Sequence, residues 1–371
     1  HTLALSKPIS SIIDIGTKYC NNTANAAAII CFFTLIVSFF NWGLGLIFGA
    51  IFTRKVGEYA CAKGLKINYP IIGAAGYSGL MVWHGGISGS APIKIAEQGH
   101  FLANKIGVIT QTETIFSNMN IYISLILIII LPMIMYILGK RTKGDFLNIK
   151  SAKNKMLTKD VGVEKLDHST IIASIFGGMI LLFAFYKAFI LPDRLSLEFI
   201  TPNYINLLLF GLAIVMHKNF ASFLKGVDNA IVGTSGILIQ FPLYFGIMGI
   251  MNHSGLVHIM SDFFVDISNQ NTLPIFTFIS AGIVNVFIPS GGGQWAIQGP
   301  IIIDAAKQLN VSIPKIVMAL AYGDQLTNML QPFWALPLLG ITGLKAKEIL
   351  PYTLILLLAG GVIFITGLLI F

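Results

Sequence analysis

Long apolar stretches alternate with short polar or glycine- and proline-rich breaks along most of this chain. Apolar runs near Asn25 to Phe40, Ile121 to Leu138, Ile171 to Ile190, Ile205 to Val215, Ile231 to Ile250, Leu273 to Ile288 and Pro351 to Phe371 read as whole or partial membrane spans, because roughly 20 apolar residues cross a bilayer as a helix. Several runs are shorter than that, which predicts re-entrant or broken helices. Helices satisfy their own backbone hydrogen bonds in lipid, so the pattern predicts an all-α polytopic membrane protein with about eight to ten membrane segments.

The densest break is Pro289-Ser290-Gly291-Gly292-Gly293-Gln294-Trp295-Ala296-Ile297-Gln298-Gly299-Pro300. It cannot be an ordinary spanning helix. Glycines and prolines at this density free backbone N–H and C=O groups, and such a segment survives at membrane depth only where protein encloses it or it lines a polar cavity. A binding site is the best use for it.

Sliding the sequence along itself by 244 residues places Asn41 on Asn285, Gly49 on Gly293, Lys63 on Lys307, Pro70 on Pro314, Gly79 on Gly323 and Ala91 on Ala335. Four further apolar identities bring the total to ten over the 51 positions from 41 to 91. Inverted repeats are a common plan of secondary transporters, and paired glycine- or proline-interrupted segments point to the substrate site. The offset pairs the tip Asn41-Trp42-Gly43-Leu44-Gly45 with Asn285 to Gly293. It also pairs Trp83-His84-Gly85-Gly86-Ile87-Ser88-Gly89-Ser90-Ala91-Pro92 with Asp324 to Trp334. The first pair reads as the tips of re-entrant hairpins and the second as helices broken halfway.

Composition agrees with the pattern. Hydrophobic residues make up 55% of the 371 and charged residues 11%, and the mean hydropathy is +0.79, too apolar for a core shielded from water. The net charge of +8 would suit nucleic acid, but its placement argues otherwise. Lys140, Arg141, Lys143, Lys150, Lys153, Lys155, Lys159 and Lys165 crowd one loop between apolar runs, which the positive-inside rule puts in the cytoplasm. With no base-reading motif beside it, the loop is topogenic and nucleic acid is not a partner. It divides the chain into a first membrane repeat (1–138), a basic cytoplasmic loop (139–168) and a second membrane repeat (169–371). The opening His1-Thr2-Leu3-Ala4-Leu5-Ser6 lacks an initiator Met and a charged n-region, and predicts one or two further spans upstream.

The breaks carry chemistry specific in kind. A half-helix starting at a glycine-rich turn offers unpaired N–H groups and a positive dipole end to an anion, here from Gly86, Gly291 and Gly292. Asn41, Ser88, Ser90, Asn285, Ser290, Gln294, Thr327 and Asn328 add hydroxyl and amide groups, as donors to an anion or oxygen ligands to a small cation. No convergent arginine pair argues for a dianion or phosphate. Trp83, Trp295, Phe333 and Trp334 can enclose a short apolar tail, so a monocarboxylate with a small hydrocarbon body fits best. Asp324 lies near a broken helix, where a carboxyl group is costly unless paired or functional, and is the candidate for binding a coupling proton or sodium ion. Histidine is the residue type suited to relaying a proton, which makes His84 the relay candidate.

These motifs resemble the bacterial short-chain fatty acid transporter family of the acetoacetate-pathway type. The resemblance rests on the runs Phe287 to Pro300 and Gln331 to Pro337, and on Asn41-Trp42-Gly43, Trp83-His84-Gly85-Gly86 with Ser88 to Pro92, and Gly323-Asp324-Gln325 with Thr327-Asn328. It implies a multi-pass carrier of acetate, butyrate or acetoacetate in the cytoplasmic membrane. The fold it implies is similar to the ion transporter superfamily, with two inverted repeats, an elevator-like movement and a homodimeric scaffold. Enzyme motifs are missing: there is no P-loop, nucleophile elbow or metal-site spacing, and no cofactor is expected. A passive anion channel, or a carrier of another small carboxylate, remains the alternative.

Overall fold

The computed structural model describes residues 1–147, 149, 162–192, 197, 199–232 and 235–371. Before the basic loop come α1 (Lys7–Thr17), α2 (Thr23–Phe40), α3 (Trp42–Lys63), α4 (Tyr69–Tyr77), α5 (Ala91–Lys94), α6 (Ala103–Ile106) and α7 (Asn118–Arg141). After it come α8 (Thr170–Phe185), α9 (Pro202–His217), α10 (Phe220–Val232), α11 (Ser235–His253), α12 (Leu256–Asp266), α13 (Leu273–Phe287), α14 (Gly291–Gln308), α15 (Ile313–Thr327), α16 (Pro332–Thr342) and α17 (Ala346–Ile370). The described strands are two-residue pieces, β1 (Lys66–Ile67) antiparallel to β2 (Asp145–Phe146).

Helices α2, α7 and α17, and α8 with its extension to Ile190, are long and apolar enough to cross a membrane. A fifth crossing arises if α9 and α10, bent 120° at their junction, act as one span. The chain is an all-α polytopic membrane protein. Among the described residues these are fewer crossings than the apolar runs predict, and the reason is local. The runs at Ile205 and Leu273 fold into helices of 16 and 15 residues, and α3 and α14 carry Arg54, Lys55 and Glu58, or Asp304 and Lys307, in their later turns. Ile171, Leu182, Val362 and Ile370 stand exposed on the crossing helices, as lipid-facing side chains do.

Caps begin these helices where the sequence places polar residues. Asn22 caps α2, Asn41 α3, Ser117 α7, Ser169 α8, Thr201 α9 and Ser290 α14, each accepting a first-turn N–H. Lys140 and Arg141 close α7, where cations suit the negative dipole end. Lys150, Lys153, Lys155 and Lys159 of the basic loop lie outside the described residues.

Two helical hairpins follow. Helix α2 turns at Asn41 and α3 runs back along it, with Gly45 against Ser38 and Gly49 against Thr34. Helix α13 turns over Ile288 to Ser290 and α14 returns, its Gln294 Nε2 donating to the Ala281 carbonyl at 2.8 Å. Each hairpin leads into a broken helix. Helix α4 tightens through Ser78–Val82 and stops, and α5 starts with Pro92 in its first turn; α15 tightens through Asn328–Leu330, and α16 starts at Pro332.

The same helix contact recurs at the 244-residue offset. A Cβ on Gly79 would strike Ser38 and Thr34 of α2, and one on Gly323 would strike the Phe278 carbonyl of α13. Thr34 and Phe278 are themselves offset partners. The larger apolar core joins α2, α3, α4, α7, α13, α15, α16 and α17, with Leu35, Phe52, Ile72, Tyr322 and Phe364 buried in it. A second, around Trp295, Ile303 and Leu320, joins α5, α14 and α15.

Candidate functional site

The break after α4 is held by the opposite half of the chain. The backbone N–H groups of His84 and Gly85 both donate to Gln325 Oε1 on α15, at 2.7 and 3.2 Å. The Gly85 carbonyl accepts from Asn120 Nδ2 at 2.7 Å, and Asn120 Oδ1 accepts from the Tyr322 hydroxyl at 2.9 Å. In return Tyr77 of α4 donates its hydroxyl to the Asn328 carbonyl at 2.7 Å. Backbone groups freed by each break thus find protein partners, as membrane depth demands.

The centre of the site is a buried acid–imidazole contact. His84 Nε2 lies 3.3 Å from Asp324 Oδ1, with side-chain exposures of 1% and 3%. The angles do not make a hydrogen bond, and Nε2 has no hydrogen-bond partner among the described residues. His84 Nδ1 accepts from the Ser90 N–H at 3.3 Å. This network assigns a neutral imidazole with its proton on Nε2, facing Asp324. The ring stacks on Trp83, centroids 4.2 Å apart.

The start of α14 abuts this pair. A Cβ on Gly291 would run into His84 Cε1 and lie 2.9 Å from both His84 Nε2 and Ser90 Oγ, so only glycine lets the helix end come this close. Ser290 Oγ accepts from the Gly293 N–H at 3.3 Å. The N–H groups of Gly291 and Gly292 sit in the first turn, where a helix has no acceptor for them. Gly292 is exposed and a Cβ there would meet open space. One helix N-terminus, Ser90, His84 and Asp324 therefore converge.

Asn285, Thr327 and Asn328 form a neighbouring knot. Asn285 Nδ2 reaches the Asp324 carbonyl at 2.7 Å and both Thr327 Oγ1 and Asn328 Oδ1 at 2.9 Å. Gln331 Nε2 donates to the Asn285 carbonyl at 2.6 Å. Asn285 is thus not at a tip, as the offset with Asn41 suggested. It lies inside α13 and ties that helix to the break after α15.

Other predicted residues spread wider. Ser88 Oγ accepts from the Trp42 N–H at 2.9 Å, Gly86 packs on the Phe39 carbonyl, and Asn41 Oδ1 caps Leu44 at 2.8 Å. Gln294 is fully buried and bonds Gln298 at 2.7 Å, which passes on to Ser261 and Ser280. Trp295 joins the second core beside Phe101. Trp83 and Trp334 do assemble, with ring centroids 4.8 Å apart, and Phe333 packs on Trp334. Trp42, which sequence reading passed over, completes the group by stacking on Trp83 at 4.4 Å. Its signal was its place beside the tip Asn41. Gln325 was also missed, although it neighbours Asp324.

Trp42 also lines a cavity of about 580 Å³ between the first hairpin tip and helices α9 and α10, with Asn41, Leu44, Leu209, Phe210 and Pro337. That volume is within the range of small-molecule sites. The stack Trp42–Trp83–His84 runs from its wall to the acid–imidazole contact.

Comparison with known proteins shows the family. A family model described as short chain fatty acid transporter matches residues 1–371. A relative from Escherichia coli is 36% identical over 379 residues, covering 100% of this chain and 84% of its own length. One from Haemophilus influenzae is 35% identical over 384 residues, covering 99% and 83%. Both carry the provisional name of short-chain fatty acid transporter. No solved structure matches the chain.

Proposed function

The chain belongs to the short-chain fatty acid transporter family, and from that premise we propose a proton-coupled secondary carrier of acetate, butyrate or acetoacetate in the bacterial inner membrane. The observation that carries this reading is the buried contact of His84 with Asp324 at the start of α14. The first-turn N–H groups of Gly291 and Gly292, the Ser90 and Ser290 hydroxyls and His84 Nε2–H are donors to one carboxylate. Trp42, Trp83, Phe333 and Trp334 shield its hydrocarbon end. Asn41, Gly86, Ser88, Asn285, Gln294, Trp295, Thr327 and Asn328 hold the breaks and hairpins in place.

Charge makes the coupling. Two unit charges 4 Å apart interact by about 4 kcal/mol at an effective dielectric of 20, so an ionised Asp324 repels an arriving carboxylate. Protonating Asp324 removes the repulsion, and proton and carboxylate then bind together. His84 Nδ1 is engaged with the Ser90 N–H, and its Nε2–H serves as donor to whichever oxygen faces it. The two halves act as inverted repeats on a homodimeric scaffold, and the site alternates in an elevator-like movement. Binding drives that movement only through differential affinity for the two states.

The test is uptake of labelled butyrate into proteoliposomes under imposed proton or sodium gradients. Saturable uptake driven by the proton gradient, weakened in Ser290→Ala and uncoupled from the gradient in Asp324→Asn, is expected. Uptake that follows only sodium would overturn the proton arrangement, unsaturable flux would favour a passive channel, and uptake no faster than in empty liposomes would remove the substrate class.

A further inference from the structure

Gln325 is fully buried on α15, next in sequence to Asp324. Its Oε1 accepts from two backbone N–H groups, those of His84 and Gly85. Because both partners can only donate, the amide cannot be flipped, and the nitrogen is fixed on the other side. That nitrogen, Nε2, carries two hydrogens and has no partner among the described residues. A buried donor left unpaired is costly.

His84 Nε2 is a second buried donor without a hydrogen-bond partner. The two belong to adjoining groups, since the amide that carries one grips the backbone of the residue that carries the other. His84 Nε2 lies where Gly291 brings the start of α14 against the His84 ring, and Gln325 is tied to the backbone of the same residue. Unsatisfied donors beside a helix N-terminus all want the same thing, an anion or the oxygen of a polar ligand.

We infer that Gln325 is a further substrate-binding residue, its Nε2–H donating to the bound carboxylate while Oε1 holds the His84–Gly85 turn. This rests on the carrier reading above. One side chain then does two jobs: it fixes the position of His84, and it meets the same carboxylate that His84 meets. Occupancy of the site is thereby sensed by the turn after α4.

The test compares butyrate affinity and uptake of the full-length protein in proteoliposomes for the parent, Gln325→Glu and Gln325→Asn. Glutamate keeps an oxygen for the two N–H groups but loses the N–H donor. Asparagine keeps the amide and withdraws it by one methylene without a charge change. A hydrogen bond to a charged group contributes about 1.5–3 kcal/mol, so KM and Kd are expected to rise about tenfold or more in both variants. For Gln325→Glu the ratio to the parent is expected to shrink as pH falls and the new carboxyl gains a proton to donate. Parental KM in Gln325→Glu at every pH would mean that neither the donor nor the new charge faces the substrate, and that result overturns the inference. If Gln325→Glu does not fold, parental affinity in Gln325→Asn overturns it equally. A parent that takes up no butyrate overturns the carrier reading, and this inference falls with it.

Discussion

At the scale of single residues the site depends on an absence. Gly291 has no side chain where a Cβ would strike His84 and approach Ser90. Gly291→Ala is therefore expected to push α14 off the imidazole and cut butyrate uptake tenfold or more. Gly340→Ala, on α16 where a Cβ meets nothing within 4 Å, is expected to leave uptake unchanged; equal uptake in both variants would remove the close approach from the mechanism. Glycine at 291 was legible as a break in a hydrophobic run. Its partner was not, because His84 is separated from it by most of the chain. The sequence offered Asp324 and His84 separately as ionisable residues in apolar surroundings, and only packing joined them.

Helices and their contacts make the next level. Gly79 and Gly323 sit at one offset and each meets the preceding hairpin helix, Gly79 at the Ser38 and Thr34 side chains and Gly323 at a backbone carbonyl. A methyl at either place overpacks the contact, at a cost of about 1–3 kcal/mol. Gly323→Ala is expected to be the worse of the two in thermal unfolding, because the Phe278 carbonyl cannot rotate away as a side chain can. A Gly323→Ala protein as stable as the parent would mean that α13 and α15 adjust freely. At this scale the sequence was most informative: the breaks at Trp83 and Gln331 and the prolines that restart α5 and α16 are local signals. The number of crossings was less legible. An apolar run reports burial, but not whether the burial is in lipid or in a short helix enclosed by protein.

For the whole molecule the proposal concerns charge. If a carboxylate enters only beside a protonated Asp324, one proton accompanies each anion and the transported unit is neutral. Uptake is then expected to respond to a pH gradient and not to a membrane potential imposed with a potassium ionophore at constant pH. A strong response to potential alone would require a different stoichiometry. The stack Trp42–Trp83–His84 leads from the cavity that Trp42 lines to the acid–imidazole contact. Replacing Trp42 with alanine is accordingly expected to relax chain-length preference, read as a KM for longer acids that falls relative to acetate.

The sequence by itself determined the solvent, the helical class, the interrupted segments and the kind of ligand they suit, because hydropathy and glycine or proline content act within a few residues. It also pointed to Ser290, Gly291, His84 and Asp324 through chemistry that lipid makes costly. Tertiary structure alone decided which of the nominated residues meet. It turned Gln294 and Trp295 into the core, drew Trp42 into the aromatic group, and placed Gln325 under the His84 turn. Those outcomes follow from how whole helices face one another. A helix offers several faces at nearly equal local cost, and long-range packing selects the one that turns inward.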